Sequence, residues 1–205
     1  MKYEWKKHEK EFYGAKTIPA LLSVPMQSYI LISGTGNPNQ EDFSNRVAAL
    51  YALAYAIKMG FKAAASSADA ATEIQDFSVY PLEGIWRQKQ NGDLVKEELE
   101  YTIMIRQPDF ITEDMVRRAM EAVKKKKPNP LYEEIRFDTM QDGNCIEILH
   151  IGAFDDEPAS FAKMDQFAAK HGLERREGCH REIYLNNANR VEKSKRKTIL
   201  RYAVK

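Results

Sequence analysis

With 205 residues, 43% of them hydrophobic and 30% charged, the chain can bury a sizeable core as one domain or as two small fused halves. A formal net charge of +1 denies it the overall electrostatic footprint of a direct DNA binder or of a protein held to an anionic membrane. Cys145 and Cys179 stand far apart, and His8, His150, His171 and His180 show no HExxH or other paired spacing, so neither a metal nor another cofactor is expected. Both thiols are expected to be free and buried. The charged opening of Lys2, Glu4, Lys6, Lys7 and Glu9 is no signal peptide, and no segment is expected to approach the ~20 apolar residues of a membrane span. The predicted location is cytoplasmic.

Residues 1–20 are polar with scattered aromatics (Tyr3, Trp5, Phe12, Tyr13) and read as an arm laid over a domain spanning 21–205. From 28 to 35 the alternation predicts a strand, broken by Gly34, Gly36, Asn37, Pro38 and Asn39. There is no GxxxxGK[ST] and no complete GxGxxG, so this turn is not a phosphate loop. A helix over 41–59 carries Phe43, Val47, Leu50, Ala54 and Ile57 on one stripe and stops near Met59-Gly60. Tyr51 and Tyr55 share a neighbouring stripe, as core margin or as pocket lining. The Ala- and Ser-rich stretch 62–75 has little to bury and reads as a surface segment or lid.

Strands over 79–87 and 97–107 follow, joined across the turn signal Asn91-Gly92-Asp93. In the first, Trp86 falls on the same face as Gly84, which leaves space over the backbone for a ring or a ligand. Thr112 is a candidate N-cap, with Glu113 and Asp114 in the first turn. That helix ends in Lys124 to Lys127, cations that complement a helix C-terminus and need no nucleic acid to explain them. A hairpin turning at Asp142-Gly143 is expected to lead into a strand over 145–151. After Phe154-Asp155-Asp156-Glu157-Pro158 comes a helix over 158–171, closed by His171-Gly172. Strands over 180–187 and 197–204 finish the chain. From Lys170 onward eleven Lys and Arg face four Glu, a balance of +7, much of it in the run Lys193 to Lys197 that reads as a solvated loop.

The strand over 180–187 is the informative one, because it puts a carboxylate in mid-strand. His180, Glu182, Tyr184 and Asn186 share one face, either a solvated sheet face or the floor of a polar-aromatic pocket. The order strand, helix, strand, strand occurs twice, in pseudo-repeats of about 26–110 and 133–205. Two such β-α-β-β units give an α+β fold with an antiparallel sheet, helices on one side and a ligand groove along their seam. In that alignment of elements Glu83 corresponds to Glu182, as a second pocket acid or as the partner of an arginine.

The stretches Pro-Leu-Glu-Gly-Ile-Trp (81–86), Met-Ile-Arg-Gln-Pro-Asp-Phe-Ile-Thr (104–112), Ile-Leu-His-Ile-Gly (148–152), His-Arg-Glu-Ile-Tyr-Leu-Asn-Asn (180–187) and Lys-Thr-Ile-Leu-Arg (197–201) resemble the GyrI-like small-molecule-binding domains. These form the effector-binding domain of bacterial multidrug-responsive transcription activators, and the chain is most similar to the stand-alone branch. The resemblance implies tandem units around a central groove, with Glu182 as the pocket glutamate. It implies ligands that are hydrophobic, aromatic or cationic, held by the carboxylate and by ring faces. Stand-alone relatives are associated with binding DNA gyrase and with hydrolysing cyclopropane-bearing cyclohexadienone alkylators. Departures are the segment 62–75 and the final Lys-Thr-Ile-Leu, which supplies no second carboxylate.

Opening an activated cyclopropane with water needs a base, donors to the oxyanion and a flat apolar platform. Glu182 is the expected base and Tyr184 the donor. Trp86 is the expected platform, with Glu83, Tyr51, Tyr55 and His180 as further ligand-binding candidates. The alternatives are a non-catalytic binder that sequesters or senses drugs, and a gyrase-binding protein. His150 is expected to be a satisfied structural histidine.

Overall fold

A computed structural model describes residues 1–66, 73–88, 96–176 and 179–205. The chain opens with β1 (Lys2–Tyr3) and the single-turn helices α1 (Trp5–His8) and α2 (Lys10–Tyr13). Then come β2 (Ala20–Thr35), α3 (Glu41–Ala65), β3 (Asp76–Phe77), β4 (Leu82–Gln88), β5 (Leu99–Gln107) and α4 (Glu113–Lys126). The second half holds β6 (Arg136–Ile151), α5 (Glu157–Lys170), β7 (His180–Tyr184) and β8 (Lys197–Ala203). The fold is α+β, and its antiparallel sheet closes into a barrel in the order β2-β5-β4-β7-β8-β6. That order is unchanged when β2, β5 and β4 are exchanged for β6, β8 and β7. The two units therefore meet at two seams, β2 against β6 and β4 against β7.

Period-two alternation sorts the strand residues into two environments. Ile30, Ile32, Ile103 and Ile105 share a core cluster with Leu50, Leu53 and Ile57 of α3, while Ile146, Ile148, Leu200 and Tyr202 pack with Met164 and Ala168 of α5. These side chains point outward, under the helices. Their alternates point inward: Tyr29, Leu31 and Met104 form a separate cluster, alongside buried Glu83, Arg106, Glu147, Arg181 and Arg201.

The inward charges are paired throughout. Arg181 donates to Glu83 at 3.0 Å and to both oxygens of Asp142 at 2.7 and 2.8 Å, and Arg201 donates to Glu147 at 2.8 Å. The N-terminal arm completes this network and plugs the barrel. Glu9 accepts from Arg106 and Tyr80 and from Tyr3 at 2.8 Å, Tyr13 donates to Glu83 at 3.3 Å, and Arg201 donates to the Phe12 carbonyl at 2.8 Å. Buried charges persist only when paired in this way, since an unpaired one costs several kcal/mol.

Four expectations are corrected. The strand over 28–35 is the second half of β2, which begins at Ala20 because β6 pairs with it from Ala20 to Leu31. For the same reason Asp142-Gly143 is no hairpin: Gly143, at φ +69°, pairs with Val24 and bends a continuous 16-residue strand. Gly60 does not end α3, because Phe61 and Ala65 are buried in the next turn and outweigh the ~1 kcal/mol that a mid-helix glycine costs. An 18-residue stretch of α3 has a mean hydropathy of 1.3, long and apolar enough to cross a membrane by length and composition, although its buried stripe packs on the barrel.

Smaller differences follow. Strand β7 ends at Tyr184, after which Asn186 uses its side chain to hold the Lys195 carbonyl and the Lys197 amide. Cys145 is buried, Cys179 is half-buried and both are free. Thr112 caps α4 by accepting from the Met115 amide. The turn at 91–93 and residues 67–72 of the Ala- and Ser-rich stretch lie outside the described residues, while its start, as far as Ala65, is the last turn of α3.

Candidate functional site

The β4/β7 seam sets Gly84 opposite Glu182 and Trp86 opposite His180. These residues and Tyr184 are on the outward face, since Glu182 is also opposite Leu200 under α5. Gly84 makes room for the arrangement: a Cβ there would lie 2.7 Å from Trp86 Nε1 and 3.3 Å from the Tyr184 hydroxyl. The indole folds over that space and donates to Tyr184 Oη at 2.9 Å, and Tyr184 donates to Glu182 Oε2 at 2.7 Å. His180 Nε2 lies 2.9 Å from Glu182 Oε1.

The fourth member comes from the start of α5. Glu157 is buried, interacts electrostatically with Glu182, and its Oε1 has no protein partner. Burial and then the Glu182 carboxylate, with a smaller push from Asp155, raise the Glu157 carboxyl from the ordinary 4.5 to about 9. A helix N-terminus favours a negative charge by up to ~2 kcal/mol, and here burial beside a second carboxylate outweighs it. Burial and Glu182 likewise push the Tyr184 phenol well above its usual range. A Glu157 carboxyl that keeps its proton in this way can offer it beside Glu182.

Aromatic rings wall this relay. Phe43 lies against Trp86 with centroids 5.8 Å apart, and Tyr101 packs on the same indole at 5.4 Å. Phe154 meets Tyr184 edge-on at 5.9 Å, and Phe161 meets His180 edge-on at 4.8 Å. In this conformation the site is closed, with Trp86 8% and Glu182 9% exposed. Phe154, at 37%, is the outermost ring and the one a ligand would meet first. An open cleft of about 450 Å³, lined by Trp5, Lys6, Tyr13, Leu185, Asn186 and Lys197, lies beside the arm and contains neither carboxyl. Among the described residues no three His, Cys, Asp or Glu side chains converge as metal ligands would.

Of the residues singled out in the sequence, Glu182, Tyr184, Trp86 and His180 are together. Glu83 is not with them: it faces the barrel interior, paired with Arg181, because Glu182 stands opposite Gly84 and a one-residue offset changes the face. Tyr51 and Tyr55 face each other on α3 at 6.4 Å, Tyr55 is 55% exposed, and it is Phe43 that supplies α3's ring to Trp86. Sequence reasoning passed over Glu157, Phe154 and Phe43. The acid-Pro start of α5 was the available signal for Glu157, and it reads equally as an ordinary helix N-terminus.

A twofold-related α+β barrel with a carboxyl pair and aromatic walls on its seam defines a small-molecule-binding domain. The chain belongs to the GyrI-like small-molecule-binding domain family, whose model matches residues 19–203. An uncharacterized conserved protein from Listeria innocua is 36% identical over 99% of this chain and all of its own, with a TM-score of 0.90. A Listeria innocua structure described as a hydrolase is 34% identical over 99% of this chain and all of its own, at a TM-score of 0.87. The C-terminal domain of EcmrR matches 91% of this chain and 96% of its own at 11% identity and a TM-score of 0.53, a likeness of fold alone. No curated protein matches the chain in sequence.

Proposed function

We propose that the β4/β7 seam binds hydrophobic aromatic molecules and hydrolyses electrophilic ones, with cyclopropane-fused cyclohexadienones as the substrate class. The observation that carries this is the Trp86–Tyr184–Glu182 relay under aromatic walls, with the buried Glu157 carboxyl beside it. The whole-length likeness to a protein described as a hydrolase supports it.

The chemistry balances with these groups alone. Glu182 takes a proton from water as the water oxygen bonds to a cyclopropane carbon. The broken C–C bond sends its electron pair into the dienone, which aromatises to a phenolate oxygen. Glu157 supplies a proton to that oxygen, and the proton gained by Glu182 returns to the neighbouring Glu157 once product leaves. Tyr184 orients Glu182, and Trp86 orients Tyr184. Entry requires Phe43 or Phe154 to swing away, which exposes the indole as a stacking surface.

The test mixes purified protein with a cyclopropane-fused cyclohexadienone and follows the dienone absorbance, with Glu182→Gln alongside. Multiple turnovers that the variant lacks are expected. Retention without turnover would replace hydrolysis by sequestration. That second reading is favoured by two carboxyls among four rings, since a lipophilic cation bound there would displace the Glu157 proton.

A further inference from the structure

We infer that His150 is a positioning residue: it clamps both ends of the segment that carries Phe154 and Glu157, and so holds the proton donor against Glu182. The inference rests on the reading of Glu157 as that donor. His150 is on β6, 5% exposed, and directs both ring nitrogens at this one segment. Nε2 lies 2.9 Å from the Ala153 carbonyl, before Glu157, and Nδ1 lies 2.9 Å from Ser160 Oγ, after it. A carbonyl only accepts, so Nε2 carries a hydrogen, and in the neutral ring Nδ1 accepts from the serine hydroxyl.

The geometry leaves the segment little freedom. Gly152 turns into it at φ +148°, a conformation for glycine, with its amide on the Arg196 carbonyl at 3.1 Å. A Cβ on Gly152 would lie 3.3 Å from His150 Nε2, so backbone and ring close on each other. Residues 154–156 then make one tight 3-10 turn and deliver Glu157 as the first residue of α5. Both nitrogens of this buried histidine are satisfied by the same turn, so the bonds that satisfy the ring also fix the turn. Placed this way, it sets where α5 begins, and with it the Glu157 to Glu182 contact.

The charged and titratable groups around Glu157 are Glu182, Tyr184 and His180 from β7 and Asp155 and Asp156 from its own turn. Lys96 reaches Asp155 at 3.8 Å, and the Arg196 guanidinium lies 5.1 Å from the Phe154 ring centroid. None of them is removed by loosening the clamp. What changes is the access of water to the Glu157 carboxyl, which brings its titration down toward the ordinary range.

Ser160→Ala removes one arm of the clamp with a good helix former, and His150→Gln keeps an amide for Ala153 while losing Nδ1. Both are expected to lower kcat about tenfold with KM within about twofold of wild type, the signature of a misplaced reacting group. The alkaline limb of the kcat/KM profile should fall by about one pH unit. Carboxyl ¹³C titration of Glu157, identified by its loss in Glu157→Gln, should shift the same way in Ser160→Ala without any substrate. If the wild type turns nothing over, hydrolysis fails while this titration still reads the clamp. A lowered Tm in Ser160→Ala, with the Glu157 titration and the alkaline limb unmoved, would overturn the inference and leave His150 a core residue.

Discussion

Glu83 and Glu182 lie on neighbouring strands, one residue out of step, and they live in opposite chemical worlds. Glu83 points into the barrel, where Arg181 donates to it and Tyr13 of the arm covers it. Glu182 points out under the helices, where its described partners are His180, Tyr184 and a second carboxyl. Inside, acids are met by arginines, which is how a buried charge is made structurally tolerable. On the seam the acids are met by each other, and burial together with that proximity raises the Glu157 carboxyl. A pair of that kind contributes little to stability and is ready for proton transfer.

The sharpest way to break this comparison is to truncate one member on each side of β7. Arg181→Leu leaves Glu83 and Asp142 buried without a cation and should cost about 3–5 kcal/mol in urea denaturation. Glu182→Gln should lose ~10²–10⁴ in turnover of the dienone while its urea midpoint holds or rises, because a buried acid is replaced by a neutral amide of the same shape. Equal losses of stability in the two variants would show that both faces are structural.

Gly84→Ala asks a smaller question of the outer face. The added methyl meets Trp86 Nε1 at 2.7 Å and must displace the indole, a cost of about 1–3 kcal/mol. Loss of the Trp86 to Tyr184 bond should show as a changed indole fluorescence together with reduced turnover. An unchanged spectrum would mean that the indole is not held as described.

The remaining effect is spread over several pH units, in the pH dependence of folding. Glu157 binds its proton more tightly folded than unfolded, so its contribution to stability is greatest below the unfolded value near 4.5 and is lost as pH rises toward about 9. Glu157→Gln should flatten the decline in stability between those limits, measured as Tm against pH. A profile as steep as the wild type's would assign the decline to other groups.

Much of the architecture is legible in the chain. Alternation places His180, Glu182 and Tyr184 on one face, because a strand's period of two holds in any environment. Trp86 on the face of Gly84 follows from the same rule, and the turn signal Asn91-Gly92-Asp93 predicts the pairing of β4 with β5. Register does not follow. Setting Glu83 as the counterpart of Glu182 compares the order of elements, whereas a face is decided by single-residue pairing across β4 and β7. The Asp142-Gly143 hairpin fails for a related reason, since a turn signal yields when a neighbouring strand offers a continuous ladder.

By itself the sequence determined the class of fold, the family and which residues share a face with Glu182, all properties of local pattern or of motifs along the chain. Only the tertiary structure decided which acids are neutralised and which are left together. Glu157 reaches Glu182 because α5 packs on β6 and β8, Glu83 is silenced because Arg181 crosses the barrel interior, and Glu9 of the arm arrives from the far end of the chain to hold Arg106. Charge pairing across such distances depends on desolvation and on the direction each side chain points. Both are set by packing, and neither has a signature in the spacing of residues.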